Sequence, residues 1–249
     1  LAELTGTDQR FLAHLFALAL AAGSGANLEP AVVTGALEGE VTYEGEAPPP
    51  TIVMEGGDTQ RVLHVGAGGG LRFAVAFLDG PLEDGAPTLH PATLDQVGFI
   101  FRPPVLAVRE GQPVRFTNQD GANHTVRSHH GEPANRFNVY TGAGQEGTHR
   151  FMATKEAPAV ITCDIHPWMI AWIYAFDHRY FAVTDQSGRF RISGIPAGRY
   201  QLAVRQPAGS LRRDLPVLVA AGETARVKIR FTAAEVMAPG RPDAAERQR

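Results

Sequence analysis

From residue 33 onward, hydrophobic and polar positions alternate with a period of two, the spacing of strands, with no sustained 3.6-residue helical spacing. In Leu71–Phe77 (LRFAVAF), Leu71, Phe73, Val75 and Phe77 are expected on one face. Nearer the C-terminus, Ala225, Val227, Ile229 and Phe231 alternate with Arg226, Lys228 and Arg230, the mark of a half-buried antiparallel strand. Between such runs lie glycine- and proline-containing turns: EGEAPPP at 44–50, GAGGG at 66–70, DQSG at 185–188 and GIPAG at 194–198. The pattern predicts an all-β protein. Two segments fall outside it. Residues 1–30 carry an apolar run, Phe11 to Ala22, behind Arg10 and ahead of small residues up to Ala26. The run is shorter than the ~20 apolar residues of a membrane span and is expected to be a secretory signal or an N-terminal helix. Residues 233–249 are polar, aperiodic and broken by Pro239 and Pro242, and are expected to form a disordered tail.

Composition narrows the chemistry. A hydrophobic fraction of 44% and a charged fraction of 20% are ordinary for a globular chain, and 27 glycines with 18 prolines suit many short strands and tight turns. A formal charge of -3 with no dense Lys/Arg run gives no reason to expect a nucleic-acid partner. Cys163 is the single cysteine, so an intrachain disulfide, a four-cysteine zinc site, an iron–sulfur cluster held by this chain alone and a two-cysteine copper centre are all excluded. No C-x-x-C-H run exists for covalent haem, and no paired carboxylates, G-x-S-x-G or H-E-x-x-H run points to hydrolysis.

One cluster stands out. Cys163-Asp-Ile-His166-Pro-Trp-Met169 packs a thiolate, an imidazole and a thioether into seven residues. A second arm, Asn118-Gln-Asp-Gly-Ala-Asn-His124, follows the strand predicted at Pro113–Thr117. Two imidazoles, a thiolate and a thioether are the set that suits copper cycling between Cu(I) and Cu(II). The strands predicted at Pro158–Cys163 and Ile170–Phe176 place Cys163, His166 and Met169 in one connecting loop, stiffened by Pro167, with His124 closing the site from a neighbouring strand. His129 and His130 are expected in a solvated loop, and Met152 and Trp172 in the core. Trp168, beside His166, is placed equally well in the core or on an apolar rim where a partner docks.

The runs VRFTNQDGANHTV and ITCDIHPWM resemble the cupredoxins, the small blue-copper proteins, and the short C-x2-H-x2-M loop is most similar to that of amicyanin. The fuller likeness, roughly Val33 to Phe231, is to bacterial plastocyanin-like methylamine-utilisation-type proteins, through LDQVGFIFRPPVLAVREGQPVRFTNQD, CDIHPWM and FAVTDQSGRFRISGIPAGRYQLAV. The resemblance implies one type 1 mononuclear copper, with His124 and His166 as imidazole ligands, Cys163 as the thiolate and Met169 as the axial thioether. It implies supporting hydrogen bonds from Thr125 and Asp164, and a loop clamp at Asn118. Related sequences often carry Cys and His where this chain has Phe99 and Pro104, so any further metal or redox feature of those residues is expected to be missing.

The flanks resemble the two halves of a carboxypeptidase-regulatory-like, transthyretin-type β-sandwich. A Greek-key cupredoxin domain at 91–179 is therefore expected as an insertion into a second sandwich formed by 33–90 and 180–232, or as part of one enlarged sandwich. The implied role is electron transfer in the periplasm or outside the cell, with a c-type cytochrome or a periplasmic dehydrogenase as partner and without catalysis. Copper storage or delivery, or service as an accessory β-sandwich subunit, are the competing roles.

Overall fold

The computed structural model describes residues 33–49, 51–52, 59–60, 63–80, 82, 90–154 and 157–236. The segments expected at 1–30 and 237–249 lie outside the described residues. The main strands are β1 (Thr34–Glu44), β2 (Val75–Asp79), β3 (Ala92–Gln96), β4 (Phe101–Arg102), β5 (Val105–Arg109), β6 (Pro113–Asn118), β7 (His124–His129) and β8 (Phe137–Thr141). They continue with β9 (Glu146–Arg150), β10 (Ala159–Thr162), β11 (Ile170–Phe176), β12 (Phe181–Val183), β13 (Arg189–Pro196), β14 (Gly198–Gln206), β15 (Leu211–Val219) and β16 (Thr224–Thr232). Among the described residues the only helical turns are two short 3-10 turns, Pro133–Asn135 and Ala233–Glu235. The protein is all-β. No helix of the described residues is long and apolar enough to cross a membrane.

Four sheets account for these strands: β13-β1-β16, β12-β2-β14-β15, β8-β7-β10-β11-β5 and β9-β6-β3-β4. Side-chain alternation explains how they stack. Leu37 and Val41 of β1, Ile229 and Phe231 of β16, and Ala76, Leu78, Leu202 and Val204 share one core. The opposite faces of β2 and β14, through Val75, Phe77 and Ala203, meet Val105, Trp172, Tyr174 and Phe176 in a second core. The other face of β11, Ala171, Ile173 and Ala175, joins Leu94, Phe116, Val126, Phe151 and Ile161 in a third. Strands β2 and β11 are thus buried on both faces, which is why their sequences read as unbroken apolar runs. Charges line the free face of the first sheet: the register sets Glu38 of β1 between Arg191 of β13 and Arg226 of β16.

Four expectations are corrected. The strand at 225–231 forms and is half-buried, but as β16 it pairs parallel, not antiparallel, with β1 at the sheet edge. Leu71 does not share a face with Phe73, Val75 and Phe77; it lies in the first core and they lie in the second. Phe73 has φ +63°, a left-handed backbone that breaks the alternation between them. Met152 is exposed rather than core. The tail predicted from residue 233 begins in a 3-10 turn, held where the Glu235 carboxylate accepts the N–H and hydroxyl of Thr232 and pairs with Arg213.

Candidate metal centre

The register of three adjacent strands builds the site. Strand β7 opens with His124 and pairs antiparallel with β10, Arg127 opposite Thr162. Strand β10 pairs in turn with β11, Thr162 opposite Ile170, so residues 163–169 are the loop of a hairpin. A loop this short returns on itself, and the N–H of Met169 donates to the His166 carbonyl at 3.0 Å. Cys163, at the mouth of the loop one step past the Arg127–Thr162 pair, brings its sulfur to His124, the first residue of the neighbouring strand.

The donors converge. His124 Nδ1, Cys163 Sγ and His166 Nδ1 lie within 4.8 Å of one another, the only such group of ligand side chains among the described residues. Sulfur is 3.9 Å from His124 Nδ1 and 3.7 Å from His166 Nδ1. Such separations would let both nitrogens and the sulfur reach one ion at metal–nitrogen and metal–sulfur bonds of about 2.0–2.3 Å. The 2.9 Å between the two Nδ1 atoms is a hydrogen bond, so one ring carries its proton there. Met169 is fully buried in the same core as Cys163. His124, Cys163, His166 and Met169 are 0, 3, 6 and 0% exposed, so all four predicted residues are buried.

Supporting contacts fall where the sequence placed them, with one addition. Thr125 donates its N–H to Cys163 Sγ at 3.3 Å, and its hydroxyl accepts the Asp164 N–H at 2.7 Å, tying the two ligand arms together. The Asp164 carboxylate is held by Asn138 at 2.8 Å and by Arg127 at 3.3 Å. Asn118 clamps its loop by donating to the carbonyls of Ala122 and Thr141 at 2.9 and 3.0 Å, while its own side-chain oxygen accepts the Asp120 N–H. The addition is Asp120, whose Oδ2 is 2.9 Å from His124 Nε2. Its only signal in the sequence is an acid one helical turn before a ligand, which in a β protein predicts nothing.

Electrostatics favour the ionised sulfur. Burial pushes the Cys163 thiol up, yet His124 and the N–H groups of Thr125, His166 and Ile165 outweigh it and bring the thiol down to about 6. His124 moves the other way. Burial lowers it, but Cys163 and Asp120 more than compensate and raise it above the usual imidazole value.

Aromatic rings cover the histidines. Phe99, at φ +60°, sets its ring edge-on to His166 at 5.1 Å and to His124 at 5.7 Å. Its carbonyl accepts the Trp168 indole N–H at 3.0 Å, so Trp168 is half-buried and pinned rather than a free rim. His129 and His130 stand apart from the site; His129, expected in a loop, is the last residue of β7, paired with Val160 and in contact with Thr162 Oγ1, while His130 Nδ1 accepts the Glu132 N–H.

No protein-family model matches the chain, and no curated protein matches it. Among solved structures it is similar to a copper-containing nitrite reductase from Thermus scotoductus SA-01, at 27% identity over 40% of this chain and 26% of that one, with a TM-score of 0.32. It is also similar to a purple cupredoxin from Nitrosopumilus maritimus, at 22% identity over 34% of this chain and 98% of that one, TM-score 0.28. Amicyanin from Paracoccus versutus aligns at 13% identity over 34% of this chain and 79% of its own, TM-score 0.28.

Proposed function

We propose that the chain binds one copper ion through His124, Cys163 and His166, with Met169 as the fourth ligand, and carries single electrons between redox partners. The observation that carries this reading is the convergence of three buried donor atoms, two imidazole nitrogens and one sulfur, within 4.8 Å. Bound copper supplies a one-electron couple between Cu(I) and Cu(II), which soft and imidazole ligands together make accessible. The chain's own contribution is rigidity. Thr125 locks the strand bearing His124 to the loop bearing Cys163, and Asn118 holds the turn before His124. Ligands fixed before and after the electron moves keep reorganisation small. The buried thiolate is met by the backbone N–H groups of Thr125, His166 and Ile165 in place of water.

Enclosure of all four ligands favours a carrier over an enzyme. On this reading the protein works in the periplasm or outside the cell, and its partner is a c-type cytochrome or a periplasmic dehydrogenase. Residues 91–179 are a copper domain inserted into a second sandwich. The pairing of Phe77 with Phe181 and of Val75 with Val183 supports that division, because the chain leaves β2 and returns in β12 beside it. Voltammetry of the copper-loaded protein tests the role. A reversible one-electron wave with fast self-exchange is expected. Sluggish exchange with ready transfer of Cu(I) to an acceptor protein would make it a delivery module instead.

A further inference from the structure

Asp120 does more than close a turn. Its side chain is 9% exposed, and its carboxylate meets three donors. Oδ1 accepts the Gly98 N–H at 2.7 Å, while Oδ2 accepts the Phe99 N–H at 3.0 Å and contacts His124 Nε2 at 2.9 Å. Both oxygens already accept backbone N–H groups, so Oδ2 is the acceptor in the third contact as well and the hydrogen there sits on Nε2. His124 Nδ1, on the opposite side of the ring, faces Cys163 and His166. The same carboxylate fixes the backbone of Phe99, whose ring lies edge-on to both histidines and whose carbonyl anchors Trp168.

Resting on the copper reading above, we propose that Asp120 is a positioning residue with two coupled jobs. It holds His124 in the Nε2–H form with Nδ1 free to bind the ion, and it places negative charge behind that imidazole to favour Cu(II) over Cu(I). Through the N–H groups of Gly98 and Phe99 it also sets the aromatic cover of the site. A carboxylate behind a ligating histidine makes the ring a stronger donor, and removing such a partner costs about 10–100-fold in metal affinity. The loss falls mainly on the more highly charged ion.

The test compares wild type, Asp120→Asn and Asp120→Glu, each loaded with copper and followed by its visible spectrum and midpoint potential. In Asp120→Asn the Cu(II)/Cu(I) affinity ratio should fall about tenfold, a rise of roughly 59 mV for one electron. Asp120→Glu, which restores the charge, should lie nearer wild type. A blue Asp120→Asn protein with its affinity ratio within about twofold of wild type would reduce Asp120 to a loop clamp, even if the protein had lost stability. Nitrogen-edited NMR of metal-free wild type needs no variant. It should show a slowly exchanging proton on His124 Nε2, and a proton found on Nδ1 in its place overturns the inference. If wild type itself shows no Cu(II)–thiolate band, the copper reading fails first and takes this one with it.

Discussion

Phe77→Ala probes the core that joins the two inner sheets. Phe77 is 3% exposed, packs its ring 4.9 Å from that of Phe176, and lies 5.7 Å below the Arg205 guanidinium. Removing a buried ring forfeits about 2–3 kcal/mol of transfer free energy and adds a cavity term, for a total of about 3–5 kcal/mol. Arg205 keeps its hydrogen bonds to Asp214 and to the carbonyls of Val204 and Arg213, so no charge is stranded. The melting temperature of a chain this size should fall by about 6–20 °C. Urea unfolding followed by far-UV circular dichroism and by tryptophan fluorescence is the assay. Trp172 reports from the same core and Trp168 from beside the metal site. Because this core ties β2 and β14 to β11, both probes should give one coincident transition, shifted to lower urea. A loss below about 1 kcal/mol, or two separated transitions, would refute the view that the stacked sheets share this core energetically.

Further outcomes follow from the site. In the metal-free protein the Cys163 thiol should titrate with a midpoint of about 6 by thiolate absorbance, and a midpoint near the ordinary 9.0 would contradict the assigned hydrogen bonds. Its folded value lies below the unfolded one of 9.0, so its contribution to stability is complete above pH 9 and is lost as pH falls towards 6. His124 is raised, so its contribution is complete below its ordinary 6.5 and is lost as pH climbs through the raised value. Thr125→Val removes the acceptor of the Asp164 N–H and the 3.8 Å hydroxyl contact to Cys163 Sγ but keeps a β-branched residue in the strand. Asp164 is exposed, so water replaces the bond and the cost should be about 1 kcal/mol by urea denaturation with an unchanged slope. A cost above about 3 kcal/mol would mean that Thr125 bears more than this bond and its long contact to Cys163 Sγ.

Local pattern carried much of this far. Alternation at 225–231 marks β16 without help from elsewhere, and the C-x2-H-x2-M grouping marks one loop because its residues are neighbours in the chain. The stacking was hidden. Ile170–Phe176 is apolar on both faces, and an unbroken apolar run states that a strand is buried without saying what lies on either side. Phe73 and Phe99 adopt positive φ, which no aromatic residue announces. Asp120 was illegible for a related reason: its meaning depends on the Gly98 and Phe99 N–H groups, which reach it from a turn 21 and 22 residues away. Sequence spacing reveals ligands that share a loop and conceals groups assembled from separate ones.

The central claim is that His124, Cys163, His166 and Met169 hold one copper. Titration of the metal-free protein with Cu(II), followed by visible absorption, tests it most directly. An intense band at about 600 nm is expected, saturating at one equivalent and absent in Cys163→Ser, as a thiolate–Cu(II) bond in a trigonal site requires. A colourless protein at saturation, or a band that survives in Cys163→Ser, would contradict it.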